Sequence, residues 1–311
     1  MKFEKMSLKK NLLETNIGFI GIGMMGDPMA QNLLKGGFKV MVYDVRPEAM
    51  ENARALGAKL AQNASEMACC DLVFIMTNTG AQVQDVIMGE QGIIQGFKGK
   101  HQLRLVVMST VSPILIKNLA STIGSKSITF ADAPVSGLLV GAQQGSLTFM
   151  VGGQKDTVEF IRPYLKIMGK NIFYIGPLGS GLAMKLLNNV IGLTIQYLFP
   201  EALKIGIKAG LDVNKMVEVI KVSTGNSWPS DQWSSYVDVM EMMVKDPKLH
   251  KTLNSIAIKD FQSALEWAEE LKYEATILKA IFPMIKIGAE TTGVVNKELF
   301  KYMDGTKIKV P

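Results

Sequence analysis

The stretch Asn16-Ile-Gly-Phe-Ile-Gly-Ile-Gly-Met-Met-Gly26 carries a short apolar run straight into three glycines, Gly21, Gly23 and Gly26, spaced G-x-G-x-x-G. A strand that opens into such a turn and continues as a helix is the arrangement that receives a dinucleotide. The first glycine permits the tight turn and the second lets a pyrophosphate approach the backbone. The third lets the following helix, expected over Met24 to Lys35, pack close to the strand. Ile22, Met24 and Met25 complete the loop, and the helix start offers unpaired N–H groups and a positive dipole end to the phosphates.

The next residues agree with that reading. Gly36-Gly37 is a C-cap signal, and Phe38 to Tyr43 reads as a second strand ending in Asp44. A carboxylate there is placed to accept the ribose hydroxyls of NAD and to repel a 2′-phosphate. Arg46 pulls the other way, because it can reach a 2′-phosphate or stack on adenine. NAD is the expected cofactor, with NADP the alternative that Arg46 keeps open.

Short β-type runs alternate with helical segments from Asn16 to about Leu178, the signature of a parallel sheet with crossover helices. Strands are expected at Ile17–Ile20, Val40–Tyr43, Leu72–Met76, Leu105–Met108, Ser127–Ala131, Thr148–Val151 and Ile172–Ile175. Beyond Gly179 no strand is expected. Ala183 to Ala209 reads as one long apolar helix, kinked at Pro200, with further helices near Val213–Ser223, Ser230–Val244, Ile256–Leu271 and Ala275–Glu290. The expected fold is therefore α/β. Residues 1–15 form an N-terminal extension, residues 16–178 a Rossmann-type dinucleotide-binding domain, and residues 179–311 an all-helical domain for substrate and oligomerisation, joined by the long helix.

Composition narrows the function classes. The chain has 311 residues, 48% hydrophobic and 20% charged, which suits two globular domains. Its formal charge of +6 comes from scattered lysines, so it favours an anionic cofactor and substrate over nucleic acid. Cys69 and Cys70 are adjacent, which leaves neither a disulfide framework nor a cysteine zinc site and fits a reducing cytoplasm. No metal site is expected. Met1 to Lys10 lacks a following apolar segment and does not read as a secretory signal. Leu186 to Phe199 is the most apolar later stretch, but Asn188, Asn189 and Gln196 interrupt it, and it reads as too short and too polar to span a bilayer. A long helix this apolar predicts a homodimer or homotetramer.

Hydride transfer needs a group to exchange the alcohol proton, usually histidine. Only His101 and His250 occur, both in lysine-flanked polar surroundings that read as surface. Lys185 is the better candidate, on the first turns of the long helix after Gly179-Ser-Gly181, with Asn189 one turn further on the same face. Partial desolvation by the apolar helix would lower its pKa toward a working acid/base; spacing alone leaves open a lysine that merely snorkels. Asp132-Ala-Pro-Val-Ser136-Gly137 follows a strand and so lies at the carboxyl edge of the sheet, where ligands bind. Its serine hydroxyl and backbone N–H groups could cradle a carboxylate, or form an ordinary turn.

Together these motifs resemble the β-hydroxyacid dehydrogenase family, within which they look most like 3-hydroxyisobutyrate dehydrogenases and tartronate semialdehyde reductases. The strings are GFIGIGMMGDPMAQNLL from Gly18, STVSP at Ser109–Pro113, DAPVSG and GAQQGSLTFMVGG within Asp132–Gly153, GSGLAMKLLNN at Gly179–Asn189, and IKD at Ile258–Asp260. The resemblance implies Lys185 as catalytic acid/base, Asn189 as a substrate-orienting residue, and Ser136 and Gly137 as carboxylate binders. It also implies that Lys259 contacts cofactor or substrate, that Thr110 touches the nicotinamide-side ribose, and that Met76 and Thr77 line the cofactor cleft. The family reads Ser-Gly-Gly where this chain has Ser136-Gly137-Leu138, so Leu138 must adopt backbone angles that suit glycine and its side chain must fit the pocket rim.

The expected protein is thus an NAD(P)-dependent oxidoreductase acting on a short β-hydroxy acid, a small carboxylate. The same machinery run in reverse would be a semialdehyde reductase for tartronate or succinic semialdehyde. A non-catalytic nucleotide-binding module is the rival from another class, and Lys185, Asn189 and Lys259 together argue against it. Imine reductases are disfavoured because the resemblance implies another residue at the Lys185 position.

Overall fold

The computed structural model describes the backbone over residues 12–300 with short strands at 303–304 and 307–308, and side chains over residues 12–290. Most of the expected N-terminal extension lies outside the described residues. The chain divides into two compact units, residues 1–185 and 186–311.

The first unit is built on a nine-stranded sheet in the order β3-β2-β1-β4-β5-β6-β8-β7, with β9 paired to β8. Its strands are β1 (Asn16–Ile20), β2 (Lys39–Tyr43), β3 (Lys59–Leu60), β4 (Leu72–Ile75), β5 (Leu103–Val107), β6 (Ile128–Asp132), β7 (Val135–Ser136), β8 (Leu147–Gly153) and β9 (Gly169–Gly176). The six strands β3 to β6 follow the doubly wound order 3-2-1-4-5-6 and are parallel. Fully buried runs such as Leu72-Val-Phe-Ile75 explain this, since each is apolar on both faces. The sheet is mostly rather than wholly parallel, because β8 runs antiparallel to both β6 and β7. The two-residue strands β3 and β7 are too short for periodicity to have revealed them.

Two apolar layers cover the sheet. Phe19, Met29, Leu33, Phe74, Phe149 and Tyr164 anchor one; Ile20, Val73, Ile75, Leu105, Val107 and Ile116 anchor the other. Helix α1 (Gly26–Lys35) buries Met29, Ala30 and Leu33, and its chain reverses at Gly37, whose φ of +85° takes the left-handed conformation open to glycine. Further helices of this unit are α2 (Gly80–Met88), α3 (Pro113–Ile123), α4 (Leu138–Gln143) and α5 (Lys155–Met168).

Helix α6 (Ser180–Lys208) begins in the first unit, continues into the second and runs through Pro200 as one element. By length and composition alone it could cross a membrane, with a mean hydropathy of 1.3 over its most apolar window. The helix is longer than the stretch Leu186–Phe199 on which the sequence was judged too short, because it extends well past both ends of it.

In the second unit, α7 (Val213–Lys221), α8 (Trp233–Lys245), α9 (Pro247–Glu270) and α10 (Thr276–Phe300) complete the helical part. Phe199, Leu203, Val217, Tyr236 and Met240 form one core cluster, and Leu186, Val190, Phe261, Ala264 and Ile285 another. Phe261 and Phe282 stack with ring centroids 5.6 Å apart. Helix α9 starts nine residues before the expected Ile256, because Pro247 takes the first helical position and Asp246 accepts from the N–H groups of Lys248 and Leu249. The expected absence of strands after Gly179 also fails: Met303–Asp304 and Lys307–Ile308 pair antiparallel.

Candidate active site

The parallel strands bring their carboxyl ends to one edge, and the sequence-derived site residues of the first unit lie along it. The glycine loop leaves β1 at the switch between β2 and β4, where an open α/β sheet leaves a crevice. Gly21 has φ +91°, and a Cβ there would run into the Met76 carbonyl, so this glycine is required by both conformation and space. A Cβ on Gly26 would overlap the Gly21 carbonyl and press the Phe19 ring. Gly23 differs: among the described residues, its chain neighbours aside, the one atom within 4 Å of its Cβ position is Arg46 Nη2 at 3.8 Å. The described residues leave the space ahead of Gly23 open, and α1 begins three residues on without a side-chain cap. This is the cradle a pyrophosphate needs, and the residues present fit a dinucleotide.

Asp44 sits at the end of β2 with its side chain only 8% exposed. One of its oxygens accepts from the Ile22 N–H at 2.9 Å, which ties it to the glycine loop; the other accepts from the Arg46 N–H and from Arg46 Nε at 3.1 Å. The hydrogen bond to this carboxylate, first, and its charge hold the Arg46 guanidinium above its ordinary pKa. The arginine that could have met a 2′-phosphate is folded back on the acid. Met76 and Thr77 follow β4, half-buried, and Thr77 Oγ1 lies 3.3 Å from the buried Ser109 Oγ at the end of β5, beside Thr110.

Ser136 ends β7, half-buried, and Gly137 follows it with φ +136°. Leu138 has φ +56°, the left-handed conformation in which a side chain costs about 1–2 kcal/mol. The loop thus keeps the backbone path a glycine would take, and the isobutyl group is left 44% exposed at its rim.

Lys185 is partly buried one turn into α6. The start of that helix is held by a residue whose part the sequence reading missed. The Asp132 carboxylate, 0% exposed, accepts from the Gly179 N–H and the Leu182 N–H, each at 2.7 Å. Burial pushes its pKa up to about 6, against the lowering effect of these N–H groups. Its sequence signal was its place as first residue of Asp132-Ala-Pro-Val-Ser136.

In the second unit, Asn189 Nδ2 donates to Asp260 Oδ2 at 2.7 Å, and Lys259 Nζ lies 2.8 Å from Asp260 Oδ1. Asp260, buried among helices, joins two residues singled out from sequence and was itself overlooked. Neither histidine is a bare surface residue: His101 Nε2 lies 2.9 Å from the Cys70 carbonyl oxygen and packs edge-on against Phe97, and His250 Nε2 lies 2.8 Å from Asn254 Nδ2.

A glycine cradle at the switch point, an acid after the second strand and a lysine on the helix leaving the sheet edge define a nicotinamide-dependent dehydrogenase. Residues 16–176 match the NAD binding domain of 6-phosphogluconate dehydrogenase, and residues 179–297 match the NAD-binding domain of NADP-dependent 3-hydroxyisobutyrate dehydrogenase. The chain is 37% identical over 229 residues to 3-hydroxyisobutyrate dehydrogenase of Pseudomonas aeruginosa, covering 73% of this chain and 76% of that one. It is 35% identical over 228 residues to the mitochondrial enzyme of that name from Mus musculus, 73% of this chain and 68% of that one. Glyoxylate/succinic semialdehyde reductase 2, chloroplastic, of Arabidopsis thaliana is 32% identical over 309 residues, 97% of this chain and 82% of that one. Among solved structures, Mycobacterium tuberculosis 3-hydroxyisobutyrate dehydrogenase with L-serine superposes with a TM-score of 0.75 at 25% identity, covering 92% and 99% of the two chains. This chain belongs to the β-hydroxyacid dehydrogenase family. It is an NAD(P)-binding oxidoreductase of the hydroxyacid dehydrogenase type.

Proposed function

We propose that the protein oxidises a short β-hydroxy acid such as 3-hydroxyisobutyrate, preferring NAD, with Lys185 as acid/base. The observation that carries the reading is the juxtaposition, at one sheet edge, of the open glycine cradle, the Asp44–Arg46 pair and the start of the helix bearing Lys185. The nicotinamide of the bound cofactor supplies the hydride acceptor for the carbinol carbon. The chain's own residues do the rest. The glycine loop and Asp44 hold the dinucleotide, aided by Met76, Thr77 and Thr110. Ser136 and the N–H groups of Gly137 and Leu138 bind the substrate carboxylate, and Asn189 and Lys259 orient the substrate. Lys185 takes the hydroxyl proton, leaving a semialdehyde. Anchoring the carboxylate at a fixed distance from Lys185 is what would select a β-hydroxy acid.

The relative from Arabidopsis, which aligns along 97% of this chain, favours a second reading in which the enzyme works as a semialdehyde reductase. Assays of 3-hydroxyisobutyrate, 3-hydroxypropionate and 4-hydroxybutyrate, and of tartronate and succinic semialdehydes, with each cofactor decide between them. The first reading expects kcat/KM highest for a β-hydroxy acid with NAD. Equal or better rates with NADP would show that Arg46 releases Asp44 to serve a 2′-phosphate.

The partner of the apolar helix is, in this proposal, a second copy of the chain. Met184, Leu187, Ile191, Leu198 and Ile205 recur at helical spacing on α6 and are 38–69% exposed. Sedimentation at micromolar concentration is expected to give a mass well above the 34.0 kDa of one chain; a monomer would refute it.

A further inference from the structure

We propose that Asp132 is a positioning residue that fixes the spacing between the Ser136–Gly137 loop and Lys185. The inference rests on the roles proposed for Ser136 and Lys185. Asp132 ends β6, four residues before Ser136, and its two carboxylate oxygens accept from the N–H groups of Gly179 and Leu182. Lys185 stands three residues beyond Leu182 on the same helix, so the two are neighbours on one face. One rigid side chain therefore spans from the strand that leads into the substrate anchor to the turn that carries the proton acceptor.

The surroundings are shaped around that contact. A Cβ on Gly152 of β8 would overlap Asp132 Oδ1 and come within 2.9 Å of the Gly181 N and the Pro177 O. A Cβ on Gly181 would overlap the Met150 carbonyl and lie 2.8 Å from Asp132 Oδ2. Gly179, with φ +91°, leaves room for Lys117 Cε and the Pro113 carbonyl of α3. Two glycines, Gly152 and Gly181, thus admit one carboxylate between two strands and a helix start, and Gly179 lets α3 approach the donor turn. An ordinary cap needs none of this: a serine or asparagine would cap the helix without burying a charge. The carboxylate satisfies two N–H groups at once and is favoured by the helix dipole, so it fixes both the position and the azimuth of the first turn. An error of about 1 Å in such a spacing can lower a rate by roughly 10²-fold.

The test is Asp132→Asn, which keeps the shape but turns one acceptor into a donor facing an N–H. With 3-hydroxypropionate, kcat is expected to fall at least about 10-fold, with NADH affinity by fluorescence near wild type and a lowered thermal midpoint that still leaves the enzyme folded at the assay temperature. The ratio of kcat/KM for 3-hydroxypropionate over 4-hydroxybutyrate is expected to fall at least about fivefold, because the looser helix no longer enforces one chain length. In a Lys185→Ala background the same substitution is expected to leave the residual rate unchanged, since its effect passes through that lysine. Asp132→Ser, which can cap one N–H group but cannot span both, should reproduce the pattern and serves if the asparagine variant fails to fold. A uniform loss on both substrates, or an equal loss in the Lys185→Ala background, would overturn the proposal. A Lys185→Ala enzyme with wild-type kcat would sink the acid/base reading and the positioning role with it. An impaired Lys185→Ala enzyme beside an unaffected Asp132→Asn one would sink the positioning role alone.

Discussion

Lys185→Ala is expected to lower kcat by roughly 10²–10⁴-fold, the range that a positioned proton acceptor contributes. Cofactor affinity should stay nearly unchanged, because Lys185 lies on α6 and the cradle is built from the β1 loop and the end of β2. No histidine stands ready to replace it, since His101 is engaged with the Cys70 carbonyl and His250 with Asn254. The loss should appear in kcat and kcat/KM together, as it does when an interaction made in the transition state is removed. Steady-state kinetics beside NADH titration measure both quantities. A variant that keeps wild-type kcat would mean that Lys185 only snorkels at the helix start and that the proton leaves by another route.

The fold was legible from the sequence wherever local pattern and tertiary role coincide. The apolar run Ile17–Ile20 and the triplet Gly21, Gly23, Gly26 identified β1, its turn and α1, because the turn needs glycine for reasons internal to those few residues. Long-range events were not legible. The antiparallel path of β8 depends on pairing with β6 and β7 rather than on its own composition, and Leu147–Gly153 reads as an apolar strand in either direction. The same limit hid Asp132 and Asp260. Both lie in motifs quoted from the sequence, yet their roles are set by partners 47 and 71 residues away. Ser136, Lys185 and Asn189 could be singled out because spacing put them beside a predicted strand or on one helix face; a buried acid that serves other groups has no such periodicity. Leu138 marks the opposite case. Its departure from glycine was visible in sequence, and its φ of +56° puts it in the left-handed conformation that favours glycine.

The pairing of Asp260 leads to the second large effect. Its side chain is 3% exposed, one oxygen accepts from Asn189 Nδ2 at 2.7 Å, and the other lies 2.8 Å from Lys259 Nζ. Asp260→Ala would remove the acceptor of a partly buried amide and the carboxylate that lies 2.8 Å from the Lys259 ammonium. Losing a hydrogen bond such as that from Asn189, in which the acceptor is charged, costs about 1.5–3 kcal/mol, and the ion pair with Lys259 is lost with it. If even one such interaction orients Asn189 or Lys259 in the transition state, kcat/KM falls by roughly 10–100-fold, at about tenfold for each 1.4 kcal/mol. Asp260→Asn separates the two roles, because it keeps an oxygen for Asn189 but removes the charge that faces Lys259. The asparagine variant is therefore expected to fall between wild type and alanine. Its activity should also depend less steeply on salt than that of the wild-type enzyme, whose Lys259 pair is 30% open to solvent on the lysine side. A folded Asp260→Ala enzyme with kcat/KM within about threefold of wild type, well short of the loss expected for a charged hydrogen bond, would show that the cluster only braces the helices α6 and α9. Asn189 and Lys259 would then not depend on it for their part in the reaction.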